Sequence, residues 1–441
     1  MMTKILLTAA LVLNPLAGSA REPTWGNCPA SPPFPAPGKD VDCTTIQVPV
    51  DWNNPDGEKI PLFVSRHKAR KDRLGVLVTN PGGPGNPGSV PVTMARDEFP
   101  DELLDRFDII GFDPRGIGAS NPIRCDDKLL KPITPPRTKA AYDKLVESNR
   151  RLGESCRKRT GALFDHLDTA SVARDVDAIR RALGEEKISF LGQSYGSLIG
   201  QQYADLFGGH VRALVLDSVV DHGVKDAGAY LREGAIESQR AFDKHVKQPV
   251  DALFGRADKG ILRYKGKKVT ADQLTELLNG YLAVGGTPEL GSSLKALSTG
   301  KGEVRWLMSG PEIMFRATWC QDFNARFTGY ADYRRAMAAA RRAAPDIRGN
   351  TQAITFVLGC QGWPAKTVNP PRAHRFKVPT LIANHRIDLA TPYAAAQRVH
   401  RRLPGSKLAT LNGTGHITYA RLGLTSEKKR MQRVITTFLS H

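Results

Sequence analysis

Apolar residues fall along this chain in two rhythms, and the points where one gives way to the other outline an α/β core. The stretches 45–49 and 60–65 alternate and are rich in β-branched residues, the pattern of early strands. The runs 74–79 and 107–112 are almost continuously apolar, as strands buried on both faces are. From about Thr169, Val172, Val176, Ile179 and Leu183 recur at helical spacing, and Gly184 can end that helix. A strand at 187–191, a helix through Leu198 and Tyr203, and a strand at 211–217 follow. Strands separated by helices predict a parallel sheet with crossover helices.

After about residue 221 the strand rhythm stops. Helical, charged and Gly-rich stretches run to about 374, and the strand pattern resumes at 378–383, with a helix near 393–402 and a strand near 407–411. The organisation expected is a core in two parts, 21–220 and 375–441, interrupted by a mainly helical cap at 221–374. A length of 441 residues agrees with a core plus an insertion.

Residues 1–20 have the three parts of an export signal: Lys4, a short apolar run from Ile5 to Leu13, and small residues at Ala17–Ala20. The run is too short to span a bilayer, and Ser19 stands where a lipoprotein would need Cys. The expectation is a released protein, extracellular or periplasmic, without stable membrane insertion. Six cysteines, Cys28, Cys43, Cys125, Cys156, Cys320 and Cys360, suit disulfides in such a chain. None forms a CxxC pair, so no metal site is expected. Fifteen pairings are possible, of which chain order encloses the shortest loops. The formal charge is +19, but the basic residues are scattered and no basic run carries interleaved aromatics, so no nucleic-acid partner is expected. Oligomeric state is left open.

The chemistry concentrates in a few loops. Gly192-Gln193-Ser194-Tyr195-Gly196 lies between a buried strand and a helix. Such a turn projects a serine hydroxyl, and the helix N-terminus behind it favours developing negative charge. A serine between glycines occurs by chance; its place between strand and helix gives it meaning. The hydroxyl needs a base, and His416, in the Gly-rich loop after the last strand, is the candidate, with His385 the rival. An acid between them should orient the imidazole. Asp388, just beyond a strand end, is preferred over Asp217, which also ends a strand. The Asn80-Pro81-Gly82-Gly83-Pro84-Gly85 loop can bring the Gly83 N–H to an oxyanion, with the Tyr195 N–H as second donor. No phosphate-cradling motif appears and no cofactor is expected.

Together, Asn80–Gly85, Phe112–Gly118, Gly192–Gly196, Val378–Pro392 and Gly413–His416 make the chain resemble the proline iminopeptidase and secreted tripeptidyl aminopeptidase family of α/β-hydrolases. The likeness covers most of 40–220 and 375–441; Thr318–Asp322 and Cys360–Pro364 look like the family too, and the rest of the cap is poorly matched. Asn80 departs from the His that commonly starts the family's glycine loop. The resemblance implies an α/β-hydrolase core and a serine exopeptidase that binds the substrate ammonium through acidic cap residues. Asp322, Glu233 and Glu237 are the candidates by position. Two other readings stay open: a carboxylesterase or other acyl hydrolase with the same triad, acting on small esters, and a non-catalytic protein that keeps the fold. Epoxide hydrolases and dehalogenases use a carboxylate where Ser194 stands.

Overall fold

The computed structural model describes residues 23–30, 36–306, 313–419 and 425–441. The expected export signal lies outside the described residues. Strands β1 (Gly26–Asn27), β2 (Val41–Pro49), β3 (Lys59–His67), β4 (Gly75–Asn80), β5 (Phe107–Phe112), β6 (Ile188–Gln193) and β7 (Val211–Asp217) form one sheet with two later strands. A hairpin, β8 (Arg263–Tyr264) and β9 (Lys267–Lys268), stands apart, and β10 (Thr380–Ile387) and β11 (Lys407–Thr414) complete the nine-stranded order β1-β2-β3-β5-β4-β6-β7-β10-β11. Pairing is antiparallel from β1 to β5 through β3 and parallel from there on. The parallel sheet with crossover helices expected from the alternation is found, and with it the α/β-hydrolase core that the resemblance implies.

The parallel strands are buried on both faces, which explains their unbroken apolar runs. On one face, helices Thr169–Ala182 and Tyr195–Phe207 pack through Val172, Val176, Leu198 and Ile199. On the other, Leu103, Leu104, Ile435 and Leu439 cover Leu77, Ile109 and Val215. The motif Asp113-Pro114-Arg115-Gly116 is structural. Arg115 is buried, pairs bidentately with Asp175, and donates to the carbonyls of Pro49, Val50 and His166. Such a charge is tolerated inside because its donors are spent.

Between β7 and β10 the described residues form seven helices and the β8–β9 hairpin, packed around a separate apolar cluster of Leu274, Leu278, Tyr281, Leu294 and neighbours. A helix that the apolar pattern does not announce, Lys139–Thr160, joins this layer although it precedes β6. Its Tyr142 sits in the same cluster, and Asn149 Nδ2 donates to the carbonyls of Leu358 and Gln361. The disulfides are Cys28–Cys43, Cys125–Cys156 and Cys320–Cys360, the chain-order pairing. Among the described residues, no helix is long and apolar enough to cross a membrane.

Candidate active site

Register brings the candidate residues to one edge. Asn80 pairs with Gly192 across β4 and β6, Gln193 with Asp217 across β6 and β7, and Asp217 with Ala383 across β7 and β10. Ile387 pairs with Thr414, so Asp388 and His416 leave β10 and β11 side by side.

Ser194 occupies the tight turn between β6 and the helix Tyr195–Phe207, at φ 53° and ψ −124°. Few non-glycine residues adopt a positive φ, and they do so where surrounding structure dictates it. Here the Ser194 N–H donates to the Asp217 carbonyl at 2.8 Å. A Cβ on Gly192 would strike the Gly196 carbonyl, and one on Gly196 the Asn80 carbonyl, so both glycines of the motif are sterically required. Gly82 is pressed as closely against the turn, and its N–H is taken by Asn80 Oδ1 at 2.9 Å. Asn80 therefore shapes the glycine loop from its first position. The Gly83 N–H has no intramolecular acceptor among the described residues, and Tyr195 is the first helical residue, whose N–H the helix leaves free. Gly83 and Tyr195 both border the cavity at Ser194.

His416 Nδ1 lies 3.0 and 2.9 Å from the two Asp388 carboxylate oxygens. Asp388 is fully buried and also accepts from Ala390 N, Thr391 N and Thr391 Oγ1. Burial alone would raise the Asp388 pKa, but the neighbouring imidazole and these donors hold it below the usual carboxylate range. Asp217 has a different employment. It accepts from Thr418 N, Thr418 Oγ1 and Tyr419 N, clamping the chain just past His416. The rival base His385 is buried, with Nε2 against the Ile417 carbonyl, and burial pulls its pKa down.

Ser194 and His416 line the same cleft, of about 1440 Å³, with no direct hydrogen bond between them among the described residues. Such bonds often tighten only when substrate is bound. Burial pulls the His416 pKa down, but the Asp388 carboxylate more than offsets this and holds it above 6.5. Only neutral imidazole can take a serine proton. Turnover should therefore rise with pH through an inflection above the ordinary histidine value. Replacing Asp388 by Asn should move that inflection down. A pH–kcat/KM profile that falls over pH 6–8 would remove His416 from the role.

The three acidic residues expected at the substrate ammonium separate. Glu233 lines a narrow pocket beside Ser194, walled by Tyr230, Phe315, Trp319 and Phe356, and its carboxylate accepts from Arg398 at 2.6 Å. Glu237 is buried beneath the acid: one oxygen accepts the Asp388 N–H at 3.1 Å and the other meets Arg240. Asp322 requires a correction. It borders neither cavity, is fully buried, and accepts from Thr169 N, Thr169 Oγ1 and Asn369 Nδ2. Burial, with Asp168 nearby, pushes its pKa up to about 8, and its carboxyl has no opening to either cavity through which to meet an ammonium. Phe315 and Arg316 of the helix Ile313–Asp322 line the cleft, whereas Asp322, at the helix end and two residues past the disulfide-bound Cys320, turns to Thr169 and Asn369. The aromatic wall went unrecognised in the sequence because its residues come from three separate helices.

Residues 75–245 match the α/β-hydrolase fold model, and residues 345–440 match the model of TAP-like proteins. The chain is 29% identical to the tripeptidyl aminopeptidase of Streptomyces lividans, over 89% of this chain and 80% of that one. It is 29% identical to the serine protease Hip1 of Mycobacterium tuberculosis, over 89% and 84%. Carboxylesterase B of Mycobacterium tuberculosis shares 30% identity over 92% of this chain and 89% of the relative.

Proposed function

Since the chain belongs to the tripeptidyl aminopeptidase family of α/β-hydrolases and is a serine hydrolase, we propose that it removes a residue or short peptide from free N-termini through an acyl-enzyme on Ser194. In this reading His416 takes the Ser194 proton and later returns it to the leaving amine, while Asp388 holds the imidazole tautomer. The Gly83 and Tyr195 N–H groups receive the tetrahedral oxyanion. Water then attacks the acyl-enzyme with His416 again as base. We also read the chain as exported, on its signal-like start and three disulfides.

One observation carries the peptide reading: the size of the cleft at Ser194. Its volume of about 1440 Å³ exceeds the ~300–1,000 Å³ of sites that enclose small ligands. A short acyl ester would leave most of it empty, whereas a peptide extending from the scissile bond fills it. The ammonium of a free N-terminus must lose water on entry, which is costly unless a carboxylate meets it. Of the three candidates, Glu233 in the narrow pocket beside Ser194 is the one for that task, through the carboxylate oxygen that Arg398 does not take.

The test is a panel of chromogenic aminoacyl and tripeptidyl amides, their N-acylated forms, and short acyl esters. Unblocked amides should be cleaved at least ~tenfold faster than N-acylated ones, and Glu233→Gln should narrow that ratio. If blocked peptides or plain esters turn over as well as free-amine peptides, the carboxylesterase reading takes over, as the likeness to Carboxylesterase B would then suggest.

A further inference from the structure

Arg316 is a buried cation whose donors are not spent. It lies on the helix Ile313–Asp322, one residue after Phe315, and lines the cleft that opens at Ser194. Only 5% of it is exposed. Its two hydrogen bonds, to Asn149 Oδ1 and the Lys131 carbonyl, are both long at 3.4 Å. Burial lowers its pKa to about 10, with no carboxylate acting in the other direction, so it stays charged at neutral pH.

Arg115 shows what this fold does with a guanidinium whose purpose is structural. There a buried carboxylate grips the fork from two sides and three carbonyls take the remaining donors. Arg316 has no carboxylate partner among the described residues and a single carbonyl, at 3.4 Å. A guanidinium offers five N–H donors in a planar fork that matches a carboxylate, and burying one unpaired is costly. Its partner is missing from the described residues and belongs to whatever enters the cleft.

The rest of the lining has the same sign. Arg137 and Arg348 are neutralised by Asp272 and Asp258. Lys268, Arg334 and Arg341 line the cleft without a carboxylate partner among the described residues, against Glu276 alone on the acidic side. A concave surface of one sign concentrates ligands of the other.

We propose that Arg316 is the anchor for a substrate carboxylate, and that the enzyme selects peptides bringing an acidic group into this cleft. The inference deepens the exopeptidase reading and rests on it. The two ends of the substrate part company: the ammonium goes to the narrow pocket at Glu233, and the carboxylate goes to the basic cleft. The carboxylate has two possible sources, the C-terminus of a short peptide or an Asp or Glu side chain downstream of the scissile bond.

The test compares kcat/KM for two matched pairs on the parental enzyme: a short peptide as free acid against its C-terminal amide, and Glu against Gln next to the scissile bond. At least one acid should be preferred by ~tenfold or more, the range of a charge-assisted bidentate pair, and which one identifies the source. In Arg316→Met the preference should fall to within about twofold of unity. In Arg316→Lys, which keeps charge but loses the fork, it should fall severalfold. In Arg334→Ala/Arg341→Ala most of it should persist. Parental ratios near unity for both pairs, or a preference that survives Arg316→Met, overturn the proposal. Should the Met variant not fold, an undiminished preference in Arg316→Lys overturns it equally. Acyl esters ending in a carboxylate or its amide run in parallel. If peptides are not hydrolysed at all, the ester ratio still decides on Arg316, separately from the exopeptidase reading.

Discussion

Replacing Ser194 by Ala should lower kcat by on the order of a millionfold while leaving the protein folded. The size of the loss follows from the absence of a substitute nucleophile. The turn at φ 53° presents one side chain to the cleft, between the candidate base and the two free N–H groups. Fold retention follows from what holds the turn. The Ser194 N–H, the two motif glycines and the Asn80 loop fix the backbone, and none of them uses Oγ. The melting temperature should therefore stay close to the parental value. Residual hydrolysis would come from the oxyanion donors and substrate positioning. Two measurements check this: single-turnover rates, and mass spectrometry after a sulfonyl fluoride reagent, which should label Ser194 in the parent and nothing at that peptide in the variant. A variant retaining a tenth of parental activity would falsify the assignment.

Asp388→Asn is the second large effect, expected at about 10⁴ in kcat. The Asp388 carboxylate accepts from His416 Nδ1 through both oxygens. An amide in its place can offer N–H instead, which favours the tautomer whose Nε2 already carries a proton and cannot accept another. Asp217→Asn is the control with the opposite signature. Its partners are Thr418, Tyr419 and Gln193, so the loss should fall mainly on stability, on the order of 1–3 kcal/mol, with the pH inflection of turnover moved down less than in Asp388→Asn, since Asp217 is the weaker of the two charges that raise the His416 pKa. If Asp217→Asn abolishes turnover and Asp388→Asn does not, the acid has been assigned to the wrong strand end.

Much of the core was legible because its strands are buried on both faces and leave continuous apolar runs. The spacing of Val172, Val176 and Ile179 announced a helix for the same reason. The strand at 378–383 was read four residues short of the end of β10. Asn384, His385 and Arg386 look like loop residues, yet the first two are buried and pair with β11. The helix Lys139–Thr160 stayed hidden because its buried side includes Asn149 and Gly153, which register as polar or neutral. Chain order and strand ends sufficed to nominate Ser194, Asp388 and His416. They could not place Asp322, because whether a carboxylate faces a cavity or a buried threonine depends on how its helix is rotated. Arg316 was missed for the same reason: an arginine becomes conspicuous only when its surroundings fail to pair it.

The attachment of the helix Lys139–Thr160 to the later helical layer has a consequence for how such enzymes can be recombined. The layer over the cleft looks like one contiguous insert between β7 and β10, a segment that could be exchanged between relatives to trade specificities. It is not self-sufficient. Tyr142 fills its apolar cluster, Asn149 closes two of its carbonyls, and the Pro136 carbonyl accepts from Tyr333 Oη. Two stretches on either side of the nucleophile thus form one transplantable module. Moving 221–374 alone would strand the apolar side of the earlier helix in water and remove Asn149, one of the two hydrogen-bond partners of the Arg316 guanidinium among the described residues.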